Sequence, residues 1–137
     1  MHSSKDSHAI LKRDRPLAYI IKKNNYGFIE KLKVFGVDYV EFEKDTMIYS
    51  GSYKVVEFNN NFKVYEKMKM QKVVTSIEYN ENRFSKGDIL ISMNQKRSNL
   101  IAELLEPEAP NSYVSFGIIK TSLNRKLPIY RIKNFNN

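Results

Sequence analysis

A short, strongly apolar helix predicted near residue 100 is the feature that most constrains the fold of this chain. Leu100, Ile101, Leu104 and Leu105 have the spacing that places their side chains on one helical face. Pro107 ends the helix, because its ring disfavours helical geometry at the preceding residue. A helix of about two turns is unstable alone in water. Its apolar face must therefore be buried against a sheet that the rest of the chain supplies.

The rest of the chain carries the patterns of short strands. Continuous or alternating apolar residues occur, with turn-forming residues between them, at 17–21, 37–42, 46–58, 62–70, 73–79, 89–91, 113–119 and 127–132. A second helix is indicated before Gly36, and its predicted core side chains are Phe28, Ile29, Leu32 and Phe35. Seven or eight strands with two short helices predict a mainly β fold, an antiparallel β-sandwich of jelly-roll type.

Length and charge favour one domain with basic ends. The 137 residues are 42% apolar, which is sufficient for a single core. We expect a flexible leader at 1–14, one domain at 15–133 and a tail at 134–137. The net charge of +8 comes from the two ends, because residues 24–124 hold 13 basic and 13 acidic side chains. This charge distribution argues against nucleic-acid binding, which needs a contiguous basic face. No apolar run in the sequence is long enough to cross a membrane.

Two amide side chains lie at the corner between the 89–91 strand and the apolar helix. Gln95 and Asn99 both fall within this corner. Amide side chains carry donors and acceptors, so they can satisfy several backbone groups at once. We therefore favour a structural role for both over substrate binding. Ser98 or Asn99 is also expected to cap the start of the helix.

Two acidic side chains flank the proline that ends the helix. Glu106 and Glu108 could form an acid/base pair or a calcium site, since carboxylates serve both kinds of chemistry. They could instead accept hydrogen bonds from backbone amides or pair with an arginine, for which the candidates are Arg97, Arg125 and Arg131. We favour the structural interpretation of both side chains, because they lie on a turn where such partners are within reach.

The segment 95–108 is also the most specific pattern in the chain. Its signature residues, which we expect to be structural, are Gln95, Asn99, Leu104, Leu105, Glu106, Pro107 and Glu108. An Arg-Pro entry strand from Arg15 and a Leu-Pro-Ile-Tyr-Arg closing strand from Leu127 extend the pattern over roughly residues 15–132. Together these features resemble the non-catalytic domain that follows the catalytic domain in many bacterial zinc carboxypeptidases of the M14 family.

The residues of this chain do not provide the zinc site of such an enzyme. A zinc peptidase needs about three protein ligands on a rigid frame, usually histidines with a carboxylate. The only histidines are His2 and His8, both in the leader, and cysteine is absent. We therefore expect no catalytic residue, no metal ligand and no cofactor in this chain. The resemblance implies that the parent protein is a zinc metallocarboxypeptidase.

The resemblance also implies a partner. We expect the domain to dock to a catalytic peptidase domain, in the same or a neighbouring chain, and to shape access to its cleft. The expected docking face is an exposed apolar surface formed by Met68, Met70, Tyr113 and Phe116. An alternative hypothesis is a free-standing module that binds peptide or carbohydrate through Tyr and Asn side chains. Attachment to a secreted peptidase would place the domain in the periplasm or outside the cell.

Overall fold

One antiparallel sheet and two short helices make up the described part of this computed structural model, which covers residues 14–23, 26–59, 72–109, 112–114, 119 and 121–133. The strands are β1 (Ala18–Ile21), β2 (Val40–Glu41), β3 (Thr46–Asn59), β4 (Lys72–Phe84), β5 (Ile89–Ser92) and β6 (Lys126–Ile132). The helices are α1 (Tyr26–Val34) and α2 (Ser98–Leu105). The strand order is β2-β5-β1-β6-β3-β4. The predicted mainly β class with two short helices is confirmed.

Some predicted strands differ from those in the structure. The expected strand at 37–42 is reduced to β2, because this edge segment pairs with only two residues of β5. Gly51 lies inside the continuous strand β3, and the irregularities in pairing come after it, between Ser52 and Lys54 and between Val55 and Glu57. The predicted strand at 62–70 lies outside the described residues.

Both helices pack on the same face of the sheet. Ile29 and Leu32 from α1 and Ile101 and Leu105 from α2 are buried in one cluster with side chains from β1, β3, β5 and β6. Burying an aliphatic side chain of this size stabilises the fold by about 1.5–3 kcal/mol. The predicted burial of the α2 face is confirmed for Ile101 and Leu105, while Leu100 and Leu104 are only partly buried. Phe35 lies after the end of α1 and is exposed.

A glycine turn ends the first helix. Gly36 has a φ of 79°, in the left-handed region that favours glycine. Its amide donates to the carbonyl of Lys33, and the amide of Val37 donates to the carbonyl of Leu32. This pair of hydrogen bonds satisfies the last carbonyls of the helix and turns the chain back to the core.

The second face of the sheet buries a smaller cluster of side chains. The contacts of this cluster show that the sheet is strongly curled. Ala18, Ile20, Phe84 and Ile132 are buried there. Phe84 ends β4 at one edge of the sheet, and Phe42 follows β2 at the opposite edge, yet their ring centroids are 6.0 Å apart. The two edges of the sheet therefore approach each other at this end.

The curl explains why the described strands form one sheet where two facing sheets were expected. β4 connects to β5 through residues 85–88, although three other strands lie between them. Four strand spacings in a flat sheet would measure about 19 Å. A link of this length extends to about 17 Å at most, so the sheet must bend to let it close. Each side of the sheet buries a cluster of side chains, the larger one beneath the helices.

Candidate functional site

The corner before α2 is fastened by a glutamine. The Gln95 side chain accepts a hydrogen bond from the Asp38 amide at 2.9 Å and donates to the carbonyls of Asp38 at 2.9 Å and Ser92 at 2.7 Å. It therefore joins the end of β5 to the segment that leads into β2. Asn99 lies in the first turn of α2 and is exposed.

The start of α2 differs from the expectation of a side-chain cap. Arg97 occupies the capping position and makes no capping hydrogen bond with its side chain. Ser98 and Asn99 both lie inside the helix, so neither caps it. The amide of Ser98 instead donates to the carbonyl of Gln95, and that of Ile101 to the carbonyl of Arg97. A tight turn at the corner replaces the predicted cap.

A single carboxylate directly after α2 contacts side chains from three strands. Glu106 Oε2 accepts hydrogen bonds from the hydroxyls of Tyr19 at 2.6 Å and Tyr53 at 2.9 Å. The same oxygen lies 3.5 Å from Nη2 of Arg131. Tyr19 and Arg131 are paired in register on β1 and β6, and Tyr53 lies on β3. We call Glu106, Tyr19, Tyr53 and Arg131 the carboxylate hub.

The hub pairs a buried guanidinium with a partly buried carboxylate. Arg131 is only 4% exposed, and its guanidinium also donates to the carbonyl of Asp14. Burial, reinforced by the Glu106 charge, holds the pKa of Tyr19 well above its ordinary range. The same two causes raise the pKa of Tyr53. Both phenols therefore remain protonated donors, which suits a carboxylate that can only accept.

The second acidic residue of the signature binds a different strand. Glu108 Oε2 accepts from the Thr75 amide at 2.6 Å and from the Thr75 hydroxyl at 2.9 Å. Thr75 lies on β4, the last strand of the sheet. Edge strands expose backbone groups that need partners. Glu108 therefore supplies at this edge an acceptor that a further strand would otherwise provide.

The chain between and after these two carboxylates folds back on α2. Pro107 is buried, and its carbonyl accepts from the Ser112 hydroxyl at 3.1 Å. The Tyr113 amide donates to the carbonyl of Leu104 at 2.9 Å. Leu104 packs against the main core, and Leu105 is fully buried. The signature residues from Leu104 to Glu108 thus form the last turn of the helix and a compact turn that packs against it.

The expected docking face is corrected at one position. Tyr113 is part of the core and only 3% exposed, because the turn after Pro107 carries it inward. The other expected members, Met68, Met70 and Phe116, lie outside the described residues. Tyr113 is therefore unavailable to a partner surface.

Asp88 is a further buried carboxylate, and it was not predicted from the sequence. Asp88 accepts from the amides of Lys23 and Ser85, each at 2.8 Å, and lies 3.7 Å from Nζ of Lys22. It is almost fully buried and holds the turn between β4 and β5 against the end of β1. An aspartate directly after a glycine, at the start of an apolar strand, was the signal that could have identified it.

The arrangement is suited to holding strands together. Glu106 and Glu108 bind separate protein groups, Tyr19, Tyr53 and Arg131 for the first and Thr75 for the second. Within the described residues, no group of three or more His, Cys, Asp or Glu side chains could hold a metal ion. None of the described helices has the length and apolar character that a membrane span requires.

Comparison with known proteins finds three fungal relatives, all named Carboxypeptidase 2. The relative from Trichophyton equinum is 34% identical over 133 residues. Those from Trichophyton rubrum and Trichophyton tonsurans are each 32% identical, over 126 and 132 residues. The matches cover 90–93% of this chain. The chain resembles part of a carboxypeptidase.

The carboxypeptidase resemblance is thereby confirmed, with a difference in source. The chain spans only about a quarter of the length of these carboxypeptidases, 23–24%. The relatives are fungal, whereas the resemblance seen in the sequence was to bacterial proteins. No family model and no solved structure matches the chain.

Proposed function

We propose that this chain is a non-catalytic accessory domain that docks to the catalytic domain of a zinc carboxypeptidase-like protein and shapes access to its cleft. The observation that carries the proposal is the asymmetry of the matches. Three carboxypeptidases each match nine-tenths or more of this chain, over only about a quarter of their own length. A segment shared in this way has the size of a domain, and the remaining three quarters leave room for a separate catalytic domain.

The chemistry of the described residues supports a structural role. The carboxylates that could have served catalysis, Glu106 and Glu108, bind tyrosine, arginine and threonine groups of the sheet. A zinc peptidase draws its ligands mainly from histidine, and this chain has no histidine after His8. The zinc chemistry of the proposed parent would therefore reside in its other domain.

A replacement experiment tests the proposal. The matching quarter of Trichophyton equinum Carboxypeptidase 2 is deleted in one variant and replaced by this chain in a second, the replacement chimera. We expect the deletion to abolish soluble, active carboxypeptidase and the replacement chimera to restore at least about a tenth of the parent kcat/KM, a loss of no more than about 1.4 kcal/mol in transition-state stabilisation.

Two outcomes would contradict the proposal. The accessory role fails if the deletion variant is as active and as stable as the parent, because the segment would then be dispensable. It also fails if the replacement chimera folds, as judged by circular dichroism, but shows no more activity than the deletion variant. A replacement by an unrelated β domain of similar size is the matched control, and it should not restore activity.

A further inference from the structure

An exposed apolar patch lies at one end of the long hairpin formed by β3 and β4. Met47 and Tyr49 are 55% and 46% exposed, and they are two residues apart on β3, so their side chains share one face of the sheet. The ring of Tyr49 stacks on that of Tyr79 from β4, with centroids 5.8 Å apart and an interplanar angle of 24°. We call Met47, Tyr49 and Tyr79 the hairpin patch.

The hairpin patch is held in place by the sheet beneath it. Gly51 is paired with Tyr79, and a Cβ atom at Gly51 would lie 3.0 Å from the Tyr79 ring. The ring therefore occupies the space that the missing side chain leaves. Lys133 Nζ lies 5.8 Å from the centre of the same ring. Aromatic side chains fixed in this way lose little conformational entropy on binding, which is why they are frequent at the centre of protein interfaces.

Both ends of the described domain lie beside the hairpin patch. Lys133, which directly follows β6, lies over Tyr79. The amide of Leu17 donates to the carbonyl of Ile132 at 2.8 Å, so the chain entering β1 runs beside the chain leaving β6. A polypeptide attached at either end therefore leaves the sheet next to the patch. A tethered neighbour has a high effective concentration at the nearest surface.

The charges around the patch specify the chemistry of its partner. Arg83 is paired in register with Met47, and Lys133 lies over Tyr79, whereas Glu81 is paired with Tyr49. An apolar centre with two cations and one carboxylate at its rim fits an apolar protein surface with an acidic rim.

From these features we infer that the hairpin patch is the surface by which this domain docks to the remainder of the carboxypeptidase-like protein. This inference rests on the proposed function and assigns its interface. The occupant is an apolar surface rimmed by carboxylates on the tethered peptidase domain. The expected face at Met68, Met70, Tyr113 and Phe116 is not needed for this contact.

Cysteine labelling tests the inference, because the chain has no cysteine of its own. Met47→Cys places a thiol in the patch, and Leu123→Cys is the matched control. Leu123 is 52% exposed and lies in the turn that pairs with Val55 through Asn124, away from the patch. The rate of N-ethylmaleimide alkylation at each position is measured by peptide mass spectrometry in the isolated chain and in the replacement chimera.

We expect alkylation at Met47→Cys to be about tenfold slower or more in the chimera than in the isolated chain, because docking removes the thiol from solvent. Alkylation at Leu123→Cys should be unchanged. Equal rates at position 47 in the two proteins would overturn the inference. Slowing that appears in the isolated chain as its concentration rises would also overturn it, since the patch would then bind a second copy.

The labelling result is separate from the test of the proposed function. An active chimera with an unprotected thiol at position 47 would leave the accessory role intact and remove this interface. A protected thiol in an inactive chimera would support the interface while contradicting the proposed restoration of activity. Tyr49→Ala, which removes a stacked ring from an exposed position, should restore fast alkylation at Met47→Cys in the chimera.

Discussion

Glu106 contacts side chains from three strands through one carboxylate oxygen. Its carboxylate faces the hydroxyls of Tyr19 and Tyr53 and the guanidinium of Arg131. Replacing one partner of a buried ion pair leaves the other charge uncompensated. The position of Glu106 directly after α2 thus couples the helix to the centre of the sheet.

Glu106→Gln should lower the free energy of unfolding by about 2–3 kcal/mol, because Arg131 would lose its counter-charge while the side-chain shape is kept. Urea unfolding followed by circular dichroism measures the change. Glu43→Gln, at an exposed position, is the control and should stay within about 0.5 kcal/mol of the parent. Equal stability of the Glu106→Gln variant and the parent would contradict the assigned role of the hub.

The buried tyrosines predict a loss of stability at alkaline pH. Burial raises the pKa values of Tyr19 and Tyr53 in the folded state, so the unfolded chain loses their protons first as pH rises above about 10. Their contribution is complete below pH 10 and falls by about 1.4 kcal/mol per pH unit for each tyrosine above it. Burial also raises the pKa of Tyr113 to about 12. Tyr113 therefore adds to the loss of stability as the pH rises from about 10 to about 12.

Unfolding by urea at pH 9, 10 and 11 measures this slope, and tyrosinate absorbance shows which groups ionise in the folded chain. Tyr19→Phe should make the fall of unfolding free energy with pH shallower, because phenylalanine has no proton to lose. If all nine tyrosines ionise near pH 10 while the chain stays folded, the buried hub is not as described.

Glu108 is expected to protect the edge of β4. Glu108→Ala would leave the Thr75 amide without the acceptor at 2.6 Å, so we predict hydrogen exchange at Thr75 to be about tenfold faster or more. Glu108→Gln keeps an acceptor and should show a smaller effect. The role fails if exchange at Thr75 is the same in the parent and in Glu108→Ala.

At the scale of elements, local patterns predicted what local chemistry determines. The apolar spacing and the proline located α2, and the glycine located the end of α1, because each signal lies within a few residues of its effect. The predicted cap at Ser98 or Asn99 was wrong. The amide of Ser98 donates instead to the carbonyl of Gln95, in a turn directly before the helix.

The elements also depend on close packing that sequence spacing does not reveal. Gly51 falls inside a predicted strand, where a glycine often marks a bulge or turn. It lies instead in a regular pair with Tyr79, where a Cβ atom would meet the Ile77 side chain at 2.8 Å. Its conformation is ordinary, so the requirement for glycine is one of space.

Gly51→Ala should therefore destabilise the domain by about 1–3 kcal/mol through overpacking against Ile77 and Tyr79. Gly27→Ala is the matched control, because nothing lies within 4 Å of a Cβ atom there and alanine favours the helix by up to about 1 kcal/mol. Thermal unfolding of the two variants compares them. A stabilising effect at Gly51 would show that the hairpin packs less tightly than described.

At the scale of the whole molecule, the hub shows why the site was only partly predictable. The acidic pair and Arg131 could be proposed as partners from charge alone. Tyr19 and Tyr53 could not, because they lie 87 and 53 residues from Glu106 in sequence and meet it only when three strands assemble. In the same way, alternation predicted strands but not their order, so the single curled sheet could not be distinguished from a sandwich.

The molecule as a whole fits the proposed role of an accessory domain. Glu106 and Glu108 bind groups of the sheet, and its relatives are carboxypeptidases about four times its length. The most direct measurement compares peptide hydrolysis by the isolated chain, with Zn²⁺ added, and by the replacement chimera under the same conditions. We expect release of C-terminal amino acids by the chimera and none by the isolated chain. Zinc-dependent hydrolysis by the isolated chain would contradict the central claim.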